Sequence, residues 1–145
     1  MSDQDQCIDV CNSLLRGELS AVETYEQAIE KFSGGPEAGA LQKIRADHAE
    51  SAAILRGHLH EMGAAPSGSS GAWGSFATAV EGTAKMLGES PALAALEQGE
   101  EHGISEYRDA LDDGDVMEEI KSQIRSKLLP ALESHLTTLK GLRKA

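Results

Sequence analysis

Glu18, His48, Glu100 and His135 stand where apolar side chains are expected. Placed on a helical wheel at about 100° per residue, each falls within the apolar arc of its own helix or at one edge of it. His48 occupies the middle of a stripe made by Leu41, Ile44, Ala52, Leu55, Leu59 and Met62. Glu100 and His135 are central on their stripes, and Glu18 lies near one edge. A bare carboxylate is costly to bury, so such groups pair, protonate or bind a cation. Two carboxylates and two imidazoles converging on one axis suit a divalent transition metal. A lone inward histidine is more often a hydrogen-bonded core residue; the coincidence of four is what points to ligation.

Ligands must also share a level. At about 1.5 Å per residue, Glu18 lies about 16 residues from the first turn and His48 about 13, a mismatch of roughly 4 to 5 Å. Glu100, about 13 residues from the last turn, falls close to their level, whereas His135, about 21 residues away, falls roughly two helical turns beyond it. The counting therefore groups Glu18, His48 and Glu100. It leaves His135 to pair with Glu26, Tyr25 or Glu97, of which Glu26 is expected inside the apolar arc and Tyr25 at its border. Gly17 precedes Glu18, and Gly99 and Gly103 flank Glu100. Either the helices approach closely there or a long bundle tolerates them. His102 and His60 face outward, and His58 lies at a stripe edge. No Gly-rich phosphate loop and no nucleophile–base spacing is present.

These residues are positioned by long helices. Helix A is expected over about 5–32, with Leu15, Leu19, Val22 and Ile29 inward. "SGGPE" ends it, and Pro36 opens helix B, expected over 36–62. "GAAPSGSSGAWG" is a loop. A short helix over 75–87 is expected next, with Phe76, Val80, Ala84 and Leu87 on one face and Trp73 anchoring it. Helix C is expected over 90–112, capped by Ser90 with Pro91 at its first position. Helix D is expected over 115–142, opened by a capping box of Asp115 and Glu118 and kinked at Pro130. Short turns make A/B and C/D antiparallel. The long connection after helix B allows B and C to run parallel, which gives an all-α, single-domain, ferritin-like four-helix bundle with a crossover.

The chain has 145 residues and a formal charge of −11. That length suits one domain with a full core. The acidity disfavours nucleic acid and anionic membrane surfaces and favours cations. The start, "MSDQDQCIDV", has no signal-peptide pattern, and no stretch is apolar enough to span a bilayer. Cys7 and Cys11, four apart on a helix, are badly placed for a disulfide and read as small buried hydrophobes, the alternative being a redox or soft-metal pair. A reduced, cytoplasmic setting fits both.

"LLRGELSAVETYEQAIEK", with a Tyr seven residues after a Glu, resembles the first helices of bacterioferritin and rubrerythrin. "LEQGEEHGISEYRDAL" and "LLPALESHLTTL" are similar to uncharacterised bacterial four-helix-bundle proteins of the ferritin-like superfamily. The resemblance implies Glu18 and Glu100 as lone glutamate ligands and His48 and His135 as the histidines of two Glu-x-x-His motifs. Arg45 and Leu132 stand where those motifs carry their bridging glutamates. A single-metal site, or a relic whose polar residues only hydrogen-bond, is therefore expected in place of a two-metal oxidase centre. The resemblance implies iron or manganese handling or a stress-related redox role, and a homo-oligomer is compatible with it. The rival is a non-catalytic bundle that works through its surface.

Overall fold

The computed structural model describes residues 3–32, 34–68 and 89–144, and every regular element among them is helical. Helix α1 spans Asp3–Lys31, α2 Glu37–Glu61 and α3 Glu89–Asp112. Helix α4, Glu118–Gln123, passes through a π-helical segment, Ile124–Leu128, into α5, Leu129–Lys144. The expected short helix over 75–87, with Trp73, lies outside the described residues. No described helix is long and apolar enough to cross a membrane.

Glycine shapes two of the turns. Gly34, at φ +83°, takes the chain out of α1. Gly63, at φ +71°, ends α2; its N–H bonds His60 O at 3.0 Å, and Ala64 N–H bonds Leu59 O at 2.9 Å. That bond pair is the Schellman arrangement, which only a left-handed residue permits cheaply. The start of α4 departs from expectation. Its first turn begins at Glu118 after an extended Met117, with no side-chain cap bond, so Asp115 and Glu118 do not form a capping box. The Asp113 carboxylate instead accepts the Asp115 N–H at 2.9 Å, holding a turn over 113–117.

The disturbance expected at Pro130 appears one turn earlier, as the π segment. Leu129 N–H reaches back to Ile124 O, five residues away. Proline offers no N–H and its ring crowds the preceding turn, and one widened turn relieves both problems while keeping the helix continuous.

The buried apolar residues form two clusters. One gathers Cys7, Leu15, Leu55, Ile104, Ile120 and Leu128 with their neighbours. The other gathers Tyr25, Phe32, Leu41, Leu96 and Leu139 with theirs. From the order in which each helix visits the clusters, α2 and α3 run in the same sense, and α1 and α5 run opposite to them. The inward stripes of α2 to α5 follow the sequence expectation closely. On α1 the stripe is rotated: Leu14, Leu15, Tyr25, Ala28 and Phe32 are buried, whereas Leu19, Val22 and Ile29 are half-buried. The rotation turns Glu26 out to the surface, where its carboxylate accepts from Arg45 at 2.7 Å, and so Glu26 is not an inward residue.

Cys7 and Cys11 are free and buried. Burial, and next the neighbouring Cys7, push the Cys11 thiol up to about 12. A thiol held in its protonated form is a poor nucleophile and a poor ligand, so the pair packs as small hydrophobes.

Gly103 marks a close helix contact. A Cβ there would lie 2.7 Å from Leu132 Cδ2. Gly103→Ala gains about 1 kcal/mol of helix propensity but forces a buried leucine aside, a strain of typically 1–3 kcal/mol. The expected net result is a loss of about 1 kcal/mol in urea unfolding, whereas an exposed mid-helix Gly→Ala would show a gain.

Candidate metal centre

Between the two apolar clusters lies one polar layer. Glu18 and Tyr25 come from α1, His48 from α2, Glu100 and Tyr107 from α3, and His135 from α5. All six are buried, at 2–3 % exposure. Each stands in its helix at a position the apolar stripe would otherwise fill, so burial of the stripe carries it inward.

His48 is the hub. Its Nδ1 lies 2.7 Å from Glu18 Oε2, and its Nε2 lies 2.7 Å from Glu100 Oε1. Carboxylates only accept when ionised, so a ring bonded to two of them donates from both nitrogens. Burial works against a charged ring, but the Glu18 and Glu100 charges outweigh it and raise His48 to about 10. Burial likewise works against the Glu100 charge, yet the His48 cation, the nearby His135 ring and the hydrogen bond from His48 hold Glu100 down at about 2. The outer ends of the chain are closed by phenols. Tyr107 donates to Glu18 Oε1 at 2.7 Å, and Tyr25 donates to Glu100 Oε1 at 2.8 Å. Burial first, and then the carboxylates, push both phenols well above their ordinary value, so they remain donors. The Tyr25 ring also stacks on His48, with centroids 5.4 Å apart.

His135 completes the layer, although counting residues had put it two turns away. Its ring centroid is 4.8 Å from that of His48. Its Nδ1 lies 3.4 Å from Glu100 Oε1, and its Nε2 is held by Asp47 Oδ2 at 2.8 Å. The turn explains much of the discrepancy. Residues 113–117 belong to the turn, so His135 stands 17 positions after Glu118 and Glu100 stands 12 before Asp112. The π segment then spends one residue more per turn than an α-helix would. None of the three partners proposed for His135 pairs with it: Glu26 is outside, Tyr25 serves Glu100, and Glu97 accepts from Arg143 at 2.5 and 3.1 Å.

Asp47 is the participant that sequence reasoning missed. It precedes His48 and is turned off the apolar stripe, with a side chain 29 % exposed. Its visible signal was an i, i+4 pair with Lys43, at 3.1 Å, which reads as surface decoration. Burial opposes its charge, but His135 and Lys43 hold its carboxyl below the ordinary value. His102 and His60 are exposed.

Two buried atoms of the layer have no hydrogen-bond partner among the described residues, Glu100 Oε2 and His135 Nδ1. An unpartnered buried acceptor and ring nitrogen cost free energy unless something fills the gap. Donor atoms of His48, Glu100 and His135 lie within 4.8 Å of one another, so these residues could hold a metal ion. The 3.4 Å between Glu100 and His135 exceeds a hydrogen bond and lies close to the roughly 3.0–3.4 Å between two neighbouring donors on one octahedral or tetrahedral ion with bonds of about 2.1 Å. The 2.7 Å contact of His48 with Glu100 would have to open and lose its proton for an ion to enter.

Glu100 and His48 also face a cavity of about 40 Å³ between α1 and α3, with Leu14, Gly17, Tyr25 and Tyr107 among its walls. A water needs roughly 10–15 Å³ by this measure, so the space takes about two or three.

No curated protein and no solved structure matches the chain. A family described as "Domain of unknown function (DUF2383)" matches residues 6–113, a span that covers all but the first three residues of α1, the whole of α2 and α3, and stops before α4, the π segment and α5. Glu18, Tyr25, Asp47, His48, Glu100 and Tyr107 fall within the match and His135 outside it; with most of its length covered, the chain belongs to this DUF2383 family.

Proposed function

We propose that the polar layer binds one divalent transition metal, with His48 Nε2, Glu100 and His135 Nδ1 as its protein donors. What carries this reading is how the two rings are held. Each histidine turns one nitrogen toward Glu100 and has the other held by a second carboxylate, Glu18 for His48 and Asp47 for His135. A carboxylate on the far nitrogen is the usual support of a metal-bound imidazole, since it fixes the tautomer and raises basicity. Glu18, expected as a ligand, takes this supporting role. Two imidazoles and one carboxylate suit iron(II), and manganese(II) is next in fit. The domain is a ferritin-like bundle in this reading, reduced to a single-metal site, and its work is handling of that ion. The cavity beside Glu100 offers room for water to complete the ion's shell.

A second reading has its own support. Both nitrogens of His48 are already satisfied by carboxylates at 2.7 Å, as in a self-contained ion-pair network that fixes helix register.

Elemental analysis separates the two. Untagged protein reconstituted with iron(II) or manganese(II) should retain about one equivalent per chain. Less than about a tenth of an equivalent turns the conclusion to the network. Asp47→Asn should lower metal affinity by about 10–100-fold, because a neutral amide oxygen is a weaker acceptor than a carboxylate and leaves the His135 ring less firmly oriented and less basic. Competition with a chromophoric chelator measures it, and an unchanged affinity would remove Asp47 from the site.

A further inference from the structure

We propose a second cation site, remote from the polar layer, formed by His58 and Glu61 in the last turn of α2 and Glu119 in the first turn of α4. Donor atoms of the three residues lie within 4.8 Å of one another. His58 and Glu61 are three apart, so they stand on the same helix face. Glu119 reaches them from an element far along the chain. His58 is buried, at 8 % exposure, and its ring makes no hydrogen bond among the described residues. Its recorded polar neighbour is Glu61 Oε2, 3.8 Å from Nδ1. That is too long for a hydrogen bond. It is close to the roughly 3.4 Å that separates two donors on one ion with bonds of about 2.0–2.2 Å. A buried imidazole at this distance from one carboxylate, with a second carboxylate within 4.8 Å, presents three donors to one point in space.

The surroundings favour positive charge. The site lies at the C-terminal end of α2, the negative end of that helix's dipole. The neighbouring Glu118 is engaged by Arg125, while Glu119 has no ion pair among the described residues. One imidazole and two carboxylates suit zinc(II), with water as the remaining ligand. A bound ion would tie the end of α2 to the start of α4, just ahead of the π segment. No residue is shared with the layer containing His48, so the inference stands apart from the reading proposed for that layer.

The test is a calorimetric titration of the full, metal-free chain with zinc(II), comparing wild type with Glu61→Gln/Glu119→Gln. Both substituted side chains are exposed, so the variant should fold, which circular dichroism verifies. Wild type should take up one equivalent more than the variant, whatever the inner layer binds. If the inner layer takes no zinc, the counts are about one and zero; if it does, about two and one. Zinc should raise the wild-type melting temperature by an increment that the variant lacks. His58→Gln should lose the same equivalent. Superimposable isotherms for wild type and variant, or no zinc uptake by wild type, would overturn the proposal.

Discussion

His48→Leu should destabilise the metal-free protein by about 3–5 kcal/mol, the usual cost of removing one partner from a buried ion pair. From the sequence alone the opposite result is expected, because leucine would complete an apolar stripe. The structure reverses the sign. Among the described residues, His48 is the only ring bonded to both Glu18 and Glu100, and both carboxylates are buried. Leucine would leave them facing an alkyl group, with one phenol each as the remaining short hydrogen bond. Urea unfolding of metal-free protein at pH 7 measures the loss. The triple variant Glu18→Gln/His48→Leu/Glu100→Gln should recover much of it, since neutral amides cost less to bury than stranded charges. A single variant as stable as wild type would mean that the layer is wetter, or less dependent on the ring, than its geometry implies.

The metal-free protein should be most stable between about pH 4.5 and 6.5, falling on both sides. Two groups set these limits. Glu100 is depressed from 4.5 to about 2. Its contribution is therefore present above 4.5 and is lost as pH falls from there toward 2. His48 is raised from 6.5 to about 10. Its contribution is complete below 6.5 and is lost as pH rises from there toward 10. Each group contributes a slope of up to about 1.4 kcal/mol per pH unit within its window. The alkaline limb is the more telling one, because few other groups of a carboxylate-rich chain weaken it between pH 7 and 9. Denaturation midpoints across the range trace both limbs. A midpoint that stays flat from pH 6.5 to 9 would show that His48 is not held as a cation. In metal-loaded protein the alkaline limb should shrink, since the nitrogen that binds the ion no longer carries a proton.

How much of this was legible beforehand depended on which coordinate was asked for. Periodicity fixes the angle of a residue about its own helix axis. His48, Glu100 and His135 could therefore be turned inward from their stripes alone, and Glu18 from its place at a stripe edge. The same reasoning mistook Glu26, because on α1 the small and mixed residues allow several rotations, and the packing of Leu14, Tyr25 and Phe32 selected one that turns Glu26 to Arg45. The Gly and Pro signals placed the helix ends within a few residues. The capping box failed because the helix opens at Glu118, two residues later than that box requires.

The sequence by itself determined an all-helical chain that buries acids and imidazoles against strong energetic resistance. Periodicity and helix-stop chemistry are local, and a local rule is enough for that. Only the tertiary structure decided that His135 is level with Glu100, that Glu18 and Asp47 stand behind the rings, and that His58 meets Glu119. Axial level depends on the true length of a turn and on a π insertion, and partners from different helices meet only after both offsets have been summed along the chain.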